Sequence, residues 1–226
     1  VFVGGLFGFT PDGQQGGFAG GEWWTMFFFL IPFELIGLGM FFALLGVLAG
    51  AFIGLGALMY TLVASDAGLG FATSRLLGGL VFSLGLVLVT VAGAELFTGN
   101  NLLAMAWASR HVSTGEVLRN WAVACSTNFV GASGLALLVW LAGRDALNHG
   151  AVGQVVVRIA TTKVQMPLNE AFFSGVLCNV LVCMAVWMAL AGRSVTDKVL
   201  AIVFPITAFV AAGFEHSIAN MYFFPL

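Results

Sequence analysis

The sequence predicts an all-α integral membrane protein, on three observations. Hydrophobic residues make up 60% of the 226 and charged residues 8%, with a mean hydropathy of +1.04, whereas soluble domains are roughly a quarter charged. Apolar runs long enough for a spanning helix of about 20 residues recur along the chain, and none alternates as the strands of an outer-membrane barrel do. The third observation is a repeat. Ala92-Gly93-Ala94-Glu95-Leu96-Phe97-Thr98-Gly99-Asn100 and Ala212-Gly213-Phe214-Glu215-His216-Ser217-Ile218-Ala219-Asn220 both read A-G-x-E-x-x-x-[GA]-N inside apolar runs.

Taken in order, Pro11 to Gly21 is a Gly-rich polar connector, and Trp23 to Ala64 carries Glu34 as its one charge. A straight helix of that length would be about 60 Å, twice the hydrocarbon thickness, so a break is expected, with Pro32, Gly37, Gly39, Gly46 and Gly50 as candidate points. The reading is one helix over Trp24–Leu45 and a first span over Val47–Val63. Gly50 to Gly56 spaces small residues for close helix packing. Asp66–Arg75 is a loop. A second span starts at Leu76–Ala94, is interrupted at Glu95–Gly99 and resumes at Leu102–Ala108.

Arg110–Arg119 is a loop holding Ser113-Thr114-Gly115-Glu116, the pattern of a helix start. Asn120–Leu141 is the third span, with Asn120 and Asn128 on roughly one face. Arg144–Pro167 is the longest polar connection. Leu168–Leu190 is the fourth span, Arg193–Lys198 a loop, and Val199–Gly213 the fifth span, interrupted at Glu215–Asn220 shortly before Leu226.

These features exclude several functions. The net charge is −2, and the eight basic residues are scattered without forming a patch, which sets nucleic acid aside. Cys125, Cys178 and Cys183 lie in apolar segments, where a thiol behaves as a small hydrophobe. A single intramembrane histidine without a ligand cluster argues against a membrane enzyme, and no cofactor or metal is implied. No signal peptide is visible, and Val1–Thr10, without an initiator Met, has the look of a trimmed chain. Basic residues divide four against four between the two sides, so the positive-inside rule gives no orientation.

Ionisable groups at membrane depth are costly and mark function. Two like motifs, each breaking an apolar span, are what a two-halved transporter shows, with an inverted repeat of helix, broken helix and helix. On that pattern one final helix is missing from this chain.

These residues resemble the formate/nitrite transporter family. Glu95-Leu96-Phe97-Thr98 is similar to the family's first signature, and Gly213-Phe214-Glu215-His216-Ser217-Ile218-Ala219-Asn220-Met221 to its second. Asn120-Trp121, Asn128 with Gly131, and Gly175 to Asn179 running into Val182 to Met188 support the match, which covers roughly Leu48 to Leu226. Residues 1–45 do not match. They form an apolar segment readable as an extra transmembrane helix, a fusion or a substitute for the lost helix, since Val1–Leu6 faintly resembles the end of the family's last helix. Residues 46–226 form the channel-like domain.

The resemblance implies an aquaporin-like protomer in a homopentamer of the inner (cytoplasmic) membrane. It would conduct small monovalent anions of weak acids, formate or nitrite, with protons taking part. Carried over by position, Leu86, Leu96 and Phe209 would narrow the cytoplasmic side, and Phe82, Phe97 and Val182 the periplasmic side. Thr98, His216 and Asn220 would face the chamber between them, and Lys163 the outer vestibule. Glu95 and Glu215 are read as structural, accepting the free N–H groups of the half-helices. His216, with an ordinary pKa of about 6.5, would make flux depend on pH. The competing reading is a truncated or fused membrane fragment without transport of its own.

Overall fold

The computed structural model describes the backbone of residues 23–226 and the side chains from residue 39 onward. The connector, the resemblance at Val1–Leu6, and the side chains of Pro32 and Glu34 lie outside the described residues. The chain divides into two compact units, Val1–Phe42 and Ala43–Leu226; the site lies in the second.

The elements are α1 (Trp23–Ala64), α2 (Phe71–Phe82), α3 (Leu84–Ala92), a 3₁₀ turn at Gly99–Leu102, α4 (Leu103–Ala108), α5 (Thr114–Leu141), a 3₁₀ turn at Arg144–Ala146, α6 (Ala151–Val164), α7 (Leu168–Ala191), α8 (Val195–Ala212) and α9 (Ser217–Phe223). Five stretches among the described residues are long and apolar enough to cross a membrane: Gly39–Ala64, Phe71–Ala92, Thr114–Leu141, Leu168–Ala191 and Val195–Ala212. The fold is the all-α membrane architecture that composition and repeat predict.

The expected break in the first apolar run is absent, since α1 is one continuous helix of 42 residues. Gly46 and Gly50 are contact points instead. A Cβ at Gly46 would overlap Thr127 of α5, one at Gly50 the Asn128 carbonyl, and one at Gly131 of α5 the Val47 carbonyl. Small residues let two backbones approach to a distance that any side chain would prevent. The same device joins the two halves at Gly79 of α2, whose Cβ would lie 2.9 Å from Thr207 Cα of α8.

The start of α5 is as expected. Ser113 and Glu116 form a reciprocal capping box, which satisfies two N–H groups of the first turn. Ser194 and Asp197 do the same for α8, so this helix starts several residues before Val199, and Asp197 and Lys198 belong to its first turn rather than to a loop. The larger correction is at Arg144–Pro167. It holds the helix α6, which buries Val152, Val155 and Val156, a spacing of three and four residues that marks one helical face. Its few apolar residues are diluted by Gln, Arg, Thr and Lys, which made the segment read as a connection.

Gly131→Val is expected to destabilise the protein by about 1–3 kcal/mol, the usual cost of forcing a side chain into a packed contact. Gly134→Val, where nothing lies within 4 Å, serves as control. Thermal unfolding in detergent should separate the two.

Candidate functional site

The two repeated motifs build two similar helix breaks. Each helix ends on a glycine in the left-handed region, Gly93 at φ 68° after α3 and Gly213 at φ 78° after α8, a conformation that glycine adopts without steric penalty. Past the glycine, the Glu95 N–H donates to the Leu45 carbonyl of α1 at 3.3 Å. The Glu215 N–H donates to Ser174 Oγ of α7 at 3.0 Å. Each carboxylate then accepts from the carboxamide five residues on: Asn100 Nδ2 reaches Glu95 Oε2 at 2.8 Å, and Asn220 Nδ2 reaches Glu215 Oε2 at 3.0 Å. The A-G-x-E-x-x-x-[GA]-N pattern is thus a staple across a break.

The first break is also clamped from α5. Asn128, fully buried, donates through Nδ2 to the carbonyls of Gly46 and Glu95, both at 2.8 Å, and its Oδ1 accepts from the Phe97 N–H at 2.9 Å. Asn100 also donates to Asn120 Oδ1 at 3.0 Å, and Trp121 Nε1 donates to the Asn100 carbonyl at 3.1 Å. The interhelical bonding expected of Asn120 and Asn128 is present, and it is directed at the break.

At the second break the structure reassigns one role. His216, not Glu215, caps the half-helix α9: its Nδ1 accepts from the Ala219 N–H at 3.2 Å. The Glu215 carboxylate instead accepts from Asn220 and from Lys163 Nζ of α6, at 2.5 Å in an ion pair with both side chains largely shielded. Because Nδ1 accepts, a neutral ring carries its proton on Nε2. Nε2 lies 3.3 Å from Thr98 Oγ1, so the imidazole donates and the hydroxyl accepts. Thr98 makes no capping bond of its own, and its hydroxyl hydrogen remains available. Thr98 and His216 are 6% and 4% exposed.

Aromatic rings surround this pair. Phe209 stacks on the His216 ring with centroids 5.6 Å apart and planes at 19°, and Phe82 meets Phe209 edge to face at 5.7 Å. The two phenylalanines, expected on opposite sides of a chamber, are in mutual contact. Both line a cavity of about 840 Å³ that also reaches His216, Glu215 and Lys163. Leu86, Leu96 and Val182 are buried and Phe97 partly so, all within the same apolar core. Asn220 stands behind the pair, bonded to Glu215, with its Oδ1 buried and unpartnered among the described residues. Cys183, read from the sequence as a small hydrophobe, also reaches the site. Its Sγ donates to the Thr98 carbonyl at 3.6 Å, a contact that α7 supplies and no spacing rule would find.

Comparison with known proteins decides the family. A profile described as formate/nitrite transporter matches residues 38–226. The chain belongs to the formate/nitrite transporter family. It is a multi-pass membrane protein of a transporter family rather than an enzyme family. The formate channel FocA of Haemophilus influenzae is 41% identical over 182 residues, and that of Escherichia coli 42% identical over 183. Each match covers 80% of this chain and 64% of the relative. A solved structure described as a pentameric formate channel with formate bound aligns with a TM-score of 0.75 and 36% identity, covering 82% of this chain and 73% of that one.

Removing the Asn128 carboxamide strands the Glu95 carbonyl and the Phe97 N–H in the break, while the Gly46 carbonyl keeps its helical partner. Asn128→Leu is therefore expected to cost about 2–5 kcal/mol, from about 1–3 kcal/mol per unsatisfied buried group with partial relaxation. The readout is a lower unfolding midpoint in detergent; an unchanged midpoint would mean that the clamp adds nothing to the break.

Proposed function

We propose that this chain forms a transmembrane channel for small monovalent anions of weak acids, formate or nitrite, and that passage depends on pH through His216. The observation that carries the reading is the Thr98–His216 bond, which ties two helix breaks together, with His216 lining a cavity that also holds Lys163. Membership of the family and the formate channels among its relatives point to the same class of substrate.

The energetics favour a proton-assisted passage. An anion entering the cavity meets the Lys163–Glu215 ion pair and His216, whose ring is bonded to Thr98. It then faces the rings of Phe82 and Phe209 and the side chains of Leu86, Leu96, Phe97 and Val182. Apolar constrictions oppose a bare charge because its desolvation is costly. A weak-acid anion escapes that cost by taking a proton. His216 in its imidazolium form would give the Nε2 proton to an oxygen of the anion, leaving neutral imidazole and a neutral acid. A proton from water in the cavity then restores the imidazolium. Asn220 and the Glu95 and Glu215 staples hold the geometry.

Exposed apolar side chains support a bilayer and subunit setting. Leu137, Leu138, Trp140 and Leu141 of α5 and Phe172, Phe173 and Trp187 of α7 all face outward. In this reading the chain works as a homopentamer in the inner (cytoplasmic) membrane, with residues 46–226 as the channel domain.

In proteoliposomes, His216→Phe is expected to lower formate flux about a hundredfold and to flatten its pH dependence, the lower range of what a positioned proton donor supplies. Flux and pH profile both unchanged would remove His216 from the pathway. Comparing formate, nitrite, hydrosulfide and lactate in one preparation ranks the substrates.

A further inference from the structure

Lys163 is already neutralised by Glu215, which leaves open what draws an anion into the cavity in the first place. The same cavity is lined by two guanidinium groups, Arg75 of α2 and Arg158 of α6. Among the described residues neither has a carboxylate within ion-pair distance. Asp66, the remaining acid on the lining, has its Oδ1 engaged by the Gly68 N–H at 2.8 Å.

The two arginines are placed differently. Arg75 is half-buried and held. Its Nη1 donates to Tyr60 Oη at 3.4 Å, its guanidinium lies over the Phe71 ring at 5.6 Å, and it packs on Gly213, where a Cβ would come within 3.3 Å of its Nη2. That position is the C-terminal end of α8, where the helix dipole favours a cation. Arg158 is exposed and its side chain makes no hydrogen bond among the described residues. It lies on the α6 stripe Gln154, Arg158, Thr162, which lines the cavity at a spacing of four residues and leads to Lys163. A guanidinium presents a planar fork of donors that matches a carboxylate or another small oxyanion.

We propose that Arg75 and Arg158 form an outer capture site for small oxyanions, one step ahead of the Lys163–Glu215 pair. The proposal rests on the anion-channel reading and assigns the entry step within it. Arg158 collects the anion by charge from solution, and the fixed Arg75 receives it beside Gly213, at the second helix break. The Lys163–Glu215 pair, with no net charge, then lets the anion pass inward without trapping it.

The test is formate influx into proteoliposomes with wild type, R75Q/R158Q and R75K/R158K, at about 10 mM and about 1 M ionic strength, where the Debye length is about 30 Å and 3 Å. At low ionic strength the glutamine pair is expected to raise the half-saturating formate concentration about three- to tenfold. The maximal rate should stay within about twofold, and the difference should collapse at high salt. The lysine pair, which keeps the charge, should behave nearly as wild type. An unchanged half-saturation overturns the site, as does a loss confined to the maximal rate or independent of salt. If wild type itself conducts no formate, the channel reading has failed, and the site is judged by ¹³C-formate line broadening on the solubilised protein. Broadening seen in wild type and lost in R75Q/R158Q supports the site. No broadening in wild type, or equal broadening in both, overturns it.

Discussion

A helix broken inside a bilayer leaves backbone N–H and C=O groups where no water can take them, and everything else in this structure follows from how those groups are paired. Gly93 and Gly213 let the chain turn out of the helix. Leu45 and Ser174 then take the next N–H group on each side, and the Glu–Asn staples hold the ends of each break together. Asn128 completes the first break with three bonds. It can do so only because Gly46, Gly50 and Gly131 allow α1 and α5 to approach to backbone distance. The glycine contacts between α1 and α5 and the polar bonds at the break are therefore one construction.

The second break is completed by a group that can change charge. His216 caps α9 through Nδ1 and reaches Thr98 through Nε2, so its tautomer is set by the backbone. An imidazolium cannot accept at Nδ1, and adding a proton to the ring releases the Ala219 N–H. Protonation is thereby coupled to the local structure of the break. A ring that gives up its Nε2 proton is left with hydrogen on Nδ1, so the capping bond returns only when the neutral ring exchanges back to the Nε2–H tautomer. The stacked Phe209 ring keeps the imidazole in the plane that allows both contacts.

Much of this was legible in the sequence, for identifiable reasons. The breaks were readable because their glycines, carboxylates and amides recur at fixed spacing in a background where polar residues are rare. Thr98 and His216 stood out on the same contrast, and the family signature gave them a common chamber. The cap at His216 was not legible: a carboxylate beside a half-helix is the usual acceptor, and only the coordinates show Glu215 committed to Lys163 and Asn220. The continuity of α1 was missed because a run twice the hydrocarbon thickness was taken to need a break, and Gly46 and Gly50, offered as break points, are there for contact with α5. Helix α6 was missed because it buries only a narrow stripe of valines, and Arg75 and Arg158 because they were weighed for membrane orientation alone.

The repeat also explains why the chemistry is confined to one pair. The two motifs share the residues that build a break, Ala, Gly, Glu and Asn, and differ in those between. His216 occupies the place of Leu96, and Ile218 the place of Thr98. The symmetry that brings His216 to Thr98 assigns the corresponding pair of positions to Leu96 and Ile218, both buried and apolar. One side of the pseudo-axis is therefore polar and proton-bearing, and the other is hydrophobic. A duplicated scaffold with unduplicated chemistry makes the protomer's interior asymmetric along the path. With Arg75 and Arg158 on the His216 side, the proposed anion path would meet charge and proton before the apolar half.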